Sequence, residues 1–228
     1  FHQVELEQPD PTGKTLVTAA ILLHHAQGHH PLIFAGTGAS ASILRATPSR
    51  AQGYPTEKDV YFDPDIPALG NPKGDVTIAE FFDYQCPYCK RNHPEPMKVI
   101  ESDGRIRLVM KDFPIFGDPS IYAANLVLAS AAAGKYAAAL EALMNTPARL
   151  SRQDVDATLK KVGLDPTELH AAYKKNSRQI DAIIVRNIAQ ANAFNLQGTP
   201  AFVIGMKIYP GYMNEKALKE AVAEARNA

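Results

Sequence analysis

The chain has 228 residues, 46% of them apolar, with 24 basic and 24 acidic side chains. That length and apolar content suffice for one substantial core with a small satellite, while the zero formal charge excludes a global field for nucleic acid or an anionic membrane surface. No apolar run of about 18 or more residues exists to make a spanning helix, and two cysteines cannot build a disulfide framework, so stability has to come from packing.

The chain opens on Phe1 and its first methionine is Met97, which reads as a processed or truncated product. Residues 1–55 form an N-terminal extension: a leader remnant, a disordered or oligomerising segment, or a segment packed on the main domain. It holds five of the seven histidines (His2, His24, His25, His29, His30), apolar patches from Leu16 to Leu23 and Leu32 to Leu44, and Ser49-Arg50-Ala51, which distantly suggests a small-residue cleavage site. Imidazoles bind transition metals readily. With no cysteine or carboxylate among them, the paired histidines read as a solvated tract rather than a metal site.

Order begins at residue 56 and runs to 228. A Pro- and Gly-punctuated approach from Phe62-Asp63-Pro64 to Asn71-Pro72-Lys73-Gly74-Asp75 ends in a turn, and the apolar run Val76 to Phe82 predicts a core strand. After Cys86 a helix is expected to about Ser102, kinked where Pro94 and Pro96 remove backbone donors. Asp103-Gly104 turns the chain into a second strand, Ile106 to Met110, completing a β-α-β unit. Between about 117 and 176 the signals are helical: an Ala-rich segment ending at Gly134, a segment from Lys135 to Met144, a capping pattern at Ser151 to Asp154 stopped by Gly163, and a start at Asp165-Pro166. A separate longer helix comes next, with Ile180, Ile184 and Ile188 at i+4 spacing. Ala201 to Ile204 and Lys207 to Tyr209 bracket Gly205-Met206 as a hairpin. Asn214 caps a last helix carrying Ala217, Leu218, Ala221 and Val222 on one face.

Cys86-Pro87-Tyr88-Cys89 holds both cysteines, just past an apolar strand and at a helix start, where a Cys-x-x-Cys pair reads as a redox centre. A free thiol with a pKa near 8.5 is only about 3% thiolate at pH 7. With Cys86 as N-cap and Pro87 as the first helical residue, the N–H groups of Tyr88 and Cys89 point at the Cys86 sulfur and the helix dipole adds positive potential. Lys90, Arg91 and His93 are expected to add to it. Cys86 is therefore the expected exposed, acidic thiol and Cys89 the shielded one. Cys86, Cys89 and His93 also have zinc-ligand spacing, but a closed site needs a fourth ligand and no second Cys-x-x-Cys exists; no metal is assigned.

Glu80 interrupts the apolar strand six residues before Cys86. It reads either as an edge residue facing water or as a buried proton acceptor for the Cys89 thiol. Gly198-Thr199-Pro200-Ala201-Phe202 places a proline just before a strand, a context that often marks a cis bond. Thr199, with Pro87 and Tyr88, is expected to face the substrate, its backbone pairing with a substrate strand beside the sulfurs.

Taken together, Glu80 to Cys89, Met110-Lys111-Asp112-Phe113-Pro114, and Gly198 to Gly205 with Tyr209-Pro210-Gly211 resemble the DsbA-type disulfide oxidoreductases of the thioredoxin superfamily, over about Glu57 to Arg226. The resemblance implies an α/β thioredoxin fold with an inserted helical domain. It also implies Cys86 as nucleophile, Cys89 as resolving cysteine, Glu80 as buried acid, Pro200 as cis-proline, and export to the bacterial periplasm. Cysteine-containing proteins are the implied substrates, with a membrane redox partner, no nucleic acid and no cofactor. Oxidase is the favoured direction, but the Pro-Tyr dipeptide and Thr199 look more like the isomerase and suppressor-of-copper-sensitivity relatives than the most oxidising members, which keeps isomerase or reductase as the alternative. The alternative from another class is a redox-independent chaperone-like binding module using the helical segment.

Overall fold

The computed structural model describes residues 54–228; the extension, its histidine pairs and its apolar patches lie outside the described residues, apart from its last two positions. The described chain opens with α1 (Glu57–Tyr61), fixed by a capping box in which Thr56 and Asp59 satisfy each other's backbone N–H. It continues through β1 (Ala68–Gly70), β2 (Val76–Phe82), α2 (Pro87–Asn92), α3 (Pro94–Asp103) and β3 (Ile106–Asp112). The helical stretch is α4 (Asp118–Ser130), a 3-10 turn at Ala131–Ala133, α5 (Tyr136–Met144), α6 (Arg152–Lys161) and α7 (Pro166–Ala193), followed by β4 (Ala201–Ile204), β5 (Lys207–Pro210) and α8 (Glu215–Arg226).

Five strands form one mixed sheet in the order β1-β3-β2-β4-β5, with β2 and β3 parallel and the other neighbours antiparallel. Every residue of β2, β3 and β4 is buried, which requires cover on both faces. In β2 the period of two sends Phe81 to one face, where its ring meets Phe194 at the end of α7 edge-on, with centroids 6.1 Å apart. Lys111 is paired with Phe81 in parallel register and reaches the Asp59 carbonyl of α1 on that same face. Glu80, beside Met110 in the register, points to the other face.

Several local expectations differ in detail. The helix after the cysteines is two elements meeting at His93, whose N–H still reaches the Cys89 carbonyl at 2.8 Å; the break falls where Pro94 removes a donor. The two helices expected on either side of residue 176 are one 28-residue element with non-helical dihedrals at Asn176. Neither α1 nor β1 was expected: β1 is three residues long, too short for periodicity to register. The hairpin turn has Gly205 and Met206 both at positive φ, 55° and 59°, the type I′ pattern that matches strand twist.

Gly74 seats the β2 entry against β3. A Cβ there would lie 2.5 Å from the Arg105 carbonyl oxygen and 2.7 Å from the Arg107 nitrogen, both backbone atoms that cannot swing aside. Gly74→Ala is expected to destabilise the fold by about 1–3 kcal/mol, read as a lower urea midpoint at unchanged slope.

Candidate active site

The loop between β2 and α2 is held by Asp83. Its carboxylate accepts from the N–H of Gln85 at 2.7 Å, the N–H of Phe116 at 3.0 Å and the hydroxyl of Ser120 at 2.6 Å. Its carbonyl accepts the Cys86 N–H at 3.0 Å. These bonds set the chain to turn at Cys86, which is the N-cap of α2 with Pro87 at the first helical position. The Cys86 sulfur accepts the Cys89 N–H at 3.2 Å and its thiol donates to the Thr199 carbonyl at 3.3 Å. The Thr199–Pro200 peptide is cis.

Both thiols are free and buried, Cys86 at 1% exposure and Cys89 at 0%. The expectation of an exposed Cys86 is corrected here: the Thr199 backbone comes over its sulfur from the far end of the chain. The acidity contrast is nonetheless large. Cys86 is lowered from 9.0 to about 6, foremost by the hydrogen bond from the Cys89 thiol, with further support from the Thr199 side chain and the Cys89 and Tyr88 N–H groups. Cys89 is pushed far up, chiefly by burial, then by donating to Cys86 and by the Glu80 charge. The Thr199 hydroxyl has no hydrogen-bond partner in the dithiol geometry and lies where it can donate to a thiolate on either cysteine.

The basic side chains near the motif have hydrogen-bond or ring partners of their own. Lys90 Nζ donates to the Leu143 carbonyl at 2.5 Å and to Thr146 Oγ1 at 2.9 Å, Arg91 lies 4.7 Å over the Tyr88 ring, and His93 Nε2 meets Glu141 at 2.7 Å. The principal support for the Cys86 thiolate therefore comes from hydrogen bonds at the helix N-terminus.

Glu80 is completely buried, and neither carboxylate oxygen has a hydrogen-bond partner. Burial, with a smaller contribution from Cys86, raises its pKa from 4.5 to about 8, so the carboxyl is mainly neutral at pH 7. A water-facing strand-edge role does not apply. Pro87 and Tyr88 flank the sulfurs on the solvent side, Tyr88 being 57% exposed. With Arg91 and Tyr212 it lines a depression of about 530 Å³, and a second depression of the same size runs along Thr199, Pro200 and Gly211. Sequence reasoning missed Asp83 and the partners of Lys90. For Asp83 a signal was present, since Asp two residues before a turn donor is an Asx-turn pattern; for Lys90 there was none.

The sequence profile of the family described as Thioredoxin matches residues 63–224, and the chain belongs to this family. Its structural neighbours are thioredoxin-like oxidoreductases of the DsbA and ScsC type. A thioredoxin-like oxidoreductase from Silicibacter pomeroyi is 37% identical, with 76% of this chain and 99% of that one covered and a TM-score of 0.73. The thiol-disulfide exchange protein alpha-DsbA2 from Wolbachia pipientis is 28% identical, with 73% and 90% covered and a TM-score of 0.68. A periplasmic thioredoxin-like protein from Salmonella enterica serovar Typhimurium is 26% identical, with 75% and 95% covered and a TM-score of 0.67. Among curated relatives, the Na(+)/H(+) antiporter NhaA 1 of Salinispora arenicola is 27% identical over 169 residues, which are 72% of this chain and 25% of the antiporter. The chain thus spans about a quarter of the length of the curated relatives it matches. No helix among the described residues is long and apolar enough to cross a membrane.

Proposed function

We propose that this chain is an exported, periplasmic thiol-disulfide oxidoreductase that introduces disulfides into envelope proteins through Cys86 and Cys89. The observation that carries this reading is the opposite perturbation of two thiols one helical turn apart, Cys86 lowered to about 6 and Cys89 raised. In the oxidising direction a substrate thiolate attacks the Cys86 sulfur of the Cys86–Cys89 disulfide. The S–S bond breaks, Cys89 leaves with the electron pair, and a mixed disulfide forms on Cys86. Cys89 is the poorer thiolate and needs a proton at that moment; neutral Glu80 is the donor, and the same carboxylate takes the proton back in the reverse direction. The second substrate thiolate then attacks the substrate sulfur and expels Cys86, whose acidity makes it the better leaving group. Pro200 and the Thr199 backbone line the approach, Pro87 and Tyr88 the rim. A disulfide-donating membrane partner returns the dithiol to the disulfide, and the export assignment is supported by the periplasmic relative.

The experiment is oxidation of a reduced two-cysteine peptide by the disulfide form of the protein. Stoichiometric peptide oxidation that is absent in the Cys86→Ser, Cys89→Ser double variant supports the proposal. Equal behaviour of both proteins would leave the redox-independent binding module.

Glu80→Gln is expected to slow exchange and to stabilise the fold. An acid raised from 4.5 to about 8 on folding contributes stability that is complete below pH 4.5 and is lost as pH rises through 8, because the folded state holds the proton longer. At pH 7 the loss is on the order of 3 kcal/mol, part of which Gln recovers. Urea titrations at pH 5 and pH 7.5 should show a steeper decline in the wild type than in E80Q, and an unchanged pH–rate profile in E80Q would remove Glu80 from the mechanism.

A further inference from the structure

Two tyrosines and one arginine form the rim of the cysteine motif on the side of the loop before α8. Arg91 on α2 is exposed, and its guanidinium lies 4.7 Å over the Tyr88 ring. With Tyr212, from the loop before α8, these two residues line a depression of about 530 Å³. Tyr88 stands between the two cysteines in the chain, and Arg91 follows the Cys86 N-cap by five residues, about 7–8 Å along the helix axis.

What distinguishes Arg91 is a charge with no counterpart. Among the described residues it makes no ion pair and no hydrogen bond; its contact is with the Tyr88 ring. The acids that touch this helix or Tyr212 are already engaged. Glu95 accepts from the Tyr212 hydroxyl at 3.3 Å and from the Glu215 N–H at 2.7 Å, and Glu141 meets His93 and Asn145. A guanidinium laid on an aromatic face leaves its N–H edge free for a carboxylate and is pre-organised to receive one. On the other flank, exposed Arg149 is also without an acidic partner among the described residues. It precedes Leu150, whose N–H donates at 3.1 Å to the side chain of Gln85, the residue before Cys86. The mouth of the site therefore carries unpaired positive charge on a chain whose formal net charge is zero.

We propose that Arg91, with Tyr88 and Tyr212, is a specificity subsite that takes the Asp or Glu side chain of a substrate protein two residues from its reactive cysteine. This rests on the redox reading of Cys86 and Cys89. Two residues of extended chain span about 7 Å, which matches the offset of Arg91 from the Cys86 end of the helix. The substrate carboxylate supplies the ion pair that Arg91 lacks within its own chain, and the ring faces of Tyr88 and Tyr212 offer apolar cover for the methylenes of the acid. A lysine at the same substrate position meets like charge and is disfavoured. The exchange chemistry is unchanged; the subsite selects which cysteine reaches it.

The test uses the disulfide form of the full chain and reduced two-cysteine peptides that differ only in carrying Glu, Gln or Lys two residues before or after one cysteine. A carboxylate also makes the neighbouring peptide thiol a weaker acid, so the second-order oxidation rate of each peptide with wild type is divided by its rate with Arg91→Gln. At low salt this quotient should be about threefold larger for the Glu peptide than for the Gln peptide at one of the two positions, the size of one exposed charge pair, and smaller again for the Lys peptide. The difference should all but vanish in about 0.5 M salt, where charges more than about 4 Å apart are screened. R91K, which keeps the charge without the planar fork, should stay closer to wild type than to R91Q. Equal quotients for the three peptides at both positions, a difference that salt leaves intact, or R91K indistinguishable from R91Q overturns the subsite. A wild type that oxidises no peptide overturns the oxidoreductase reading instead. The subsite is then judged by fluorescence anisotropy of labelled peptides with serine for cysteine: tighter binding of the Glu than of the Lys peptide in wild type but not in R91Q upholds it, and equal binding overturns it.

Discussion

Replacing Cys86 with serine is expected to reduce disulfide exchange on the order of a thousandfold or more, while Cys89→Ser retains attack and accumulates mixed disulfides. The asymmetry arises from the local geometry. Only the Cys86 sulfur sits at the N-cap, receiving the Cys89 N–H at 3.2 Å, and only a sulfur stabilised as an anion is both a competent nucleophile and a good leaving group. Cys89 lies inside the helix, raised by burial and by Glu80, so it cannot substitute for Cys86. It can still resolve a mixed disulfide, being one turn away. Non-reducing gels with a substrate whose single cysteine is carried as a disulfide with a small leaving thiol check this: Cys86 attacks that disulfide and expels the small thiol, so a covalent adduct in C89S and none in C86S is the expected result. Comparable adducts in both variants would reverse the roles.

The reduced protein is expected to be more stable than the oxidised one, by a margin that grows as pH rises to 9.0. Cys86 has a folded pKa of about 6 against 9.0 for the ordinary thiol. A depressed acid contributes stability that is complete above its unfolded value and is lost as pH falls through its folded value. The contribution therefore develops between pH 6 and pH 9, reaching on the order of 1 kcal/mol at pH 7 and about 4 kcal/mol at pH 9. Above pH 9 the Cys86 contribution is complete and Cys89 works the other way: it is raised in the fold, so the unfolded chain ionises first and the margin falls again. Glu80 titrates in both redox forms and largely cancels from the difference. Because the disulfide lacks the thiolate, linkage converts the difference into a redox poise of roughly 30 mV per 1.4 kcal/mol toward oxidant behaviour. Thermal unfolding of the two forms at pH 6, 7 and 8.5 measures it. A higher melting temperature for the oxidised form, together with failure to oxidise a reduced substrate, would overturn the oxidase direction in favour of isomerase or reductase.

Much of the local structure around the site was legible in the sequence, because it depends on groups within one turn of each other. Pro87 can only open a helix, its missing N–H being one that α2 would leave unpaired in any case. Cys86 is then the N-cap whatever lies further off. Ser151 with Asp154 and Asn214 with the Ala217 N–H are capped by the same short-range logic, and the Gly205-Met206 turn is set by two adjacent residues. The order of strands and helices, and hence the family resemblance, could be assembled from such signals. What only the tertiary structure decided is where solvent and charge end up. Cys86 was expected to be exposed and is buried, because the carbonyl that covers it belongs to a residue 113 positions away. Lys90 was expected, with Arg91 and His93, to add positive potential at the Cys86 sulfur, yet its hydrogen bonds go to Leu143 and Thr146, more than 50 residues distant. Glu80 could be read from the sequence as edge or core; the sheet order put β2 between β3 and β4, buried on both faces, and so left its carboxyl neutral. Capping and turn energies are fixed by neighbours along the chain, whereas desolvation and Coulomb energies are fixed by whatever the fold packs against a group, and those are the energies on which the chemistry of the two thiols depends.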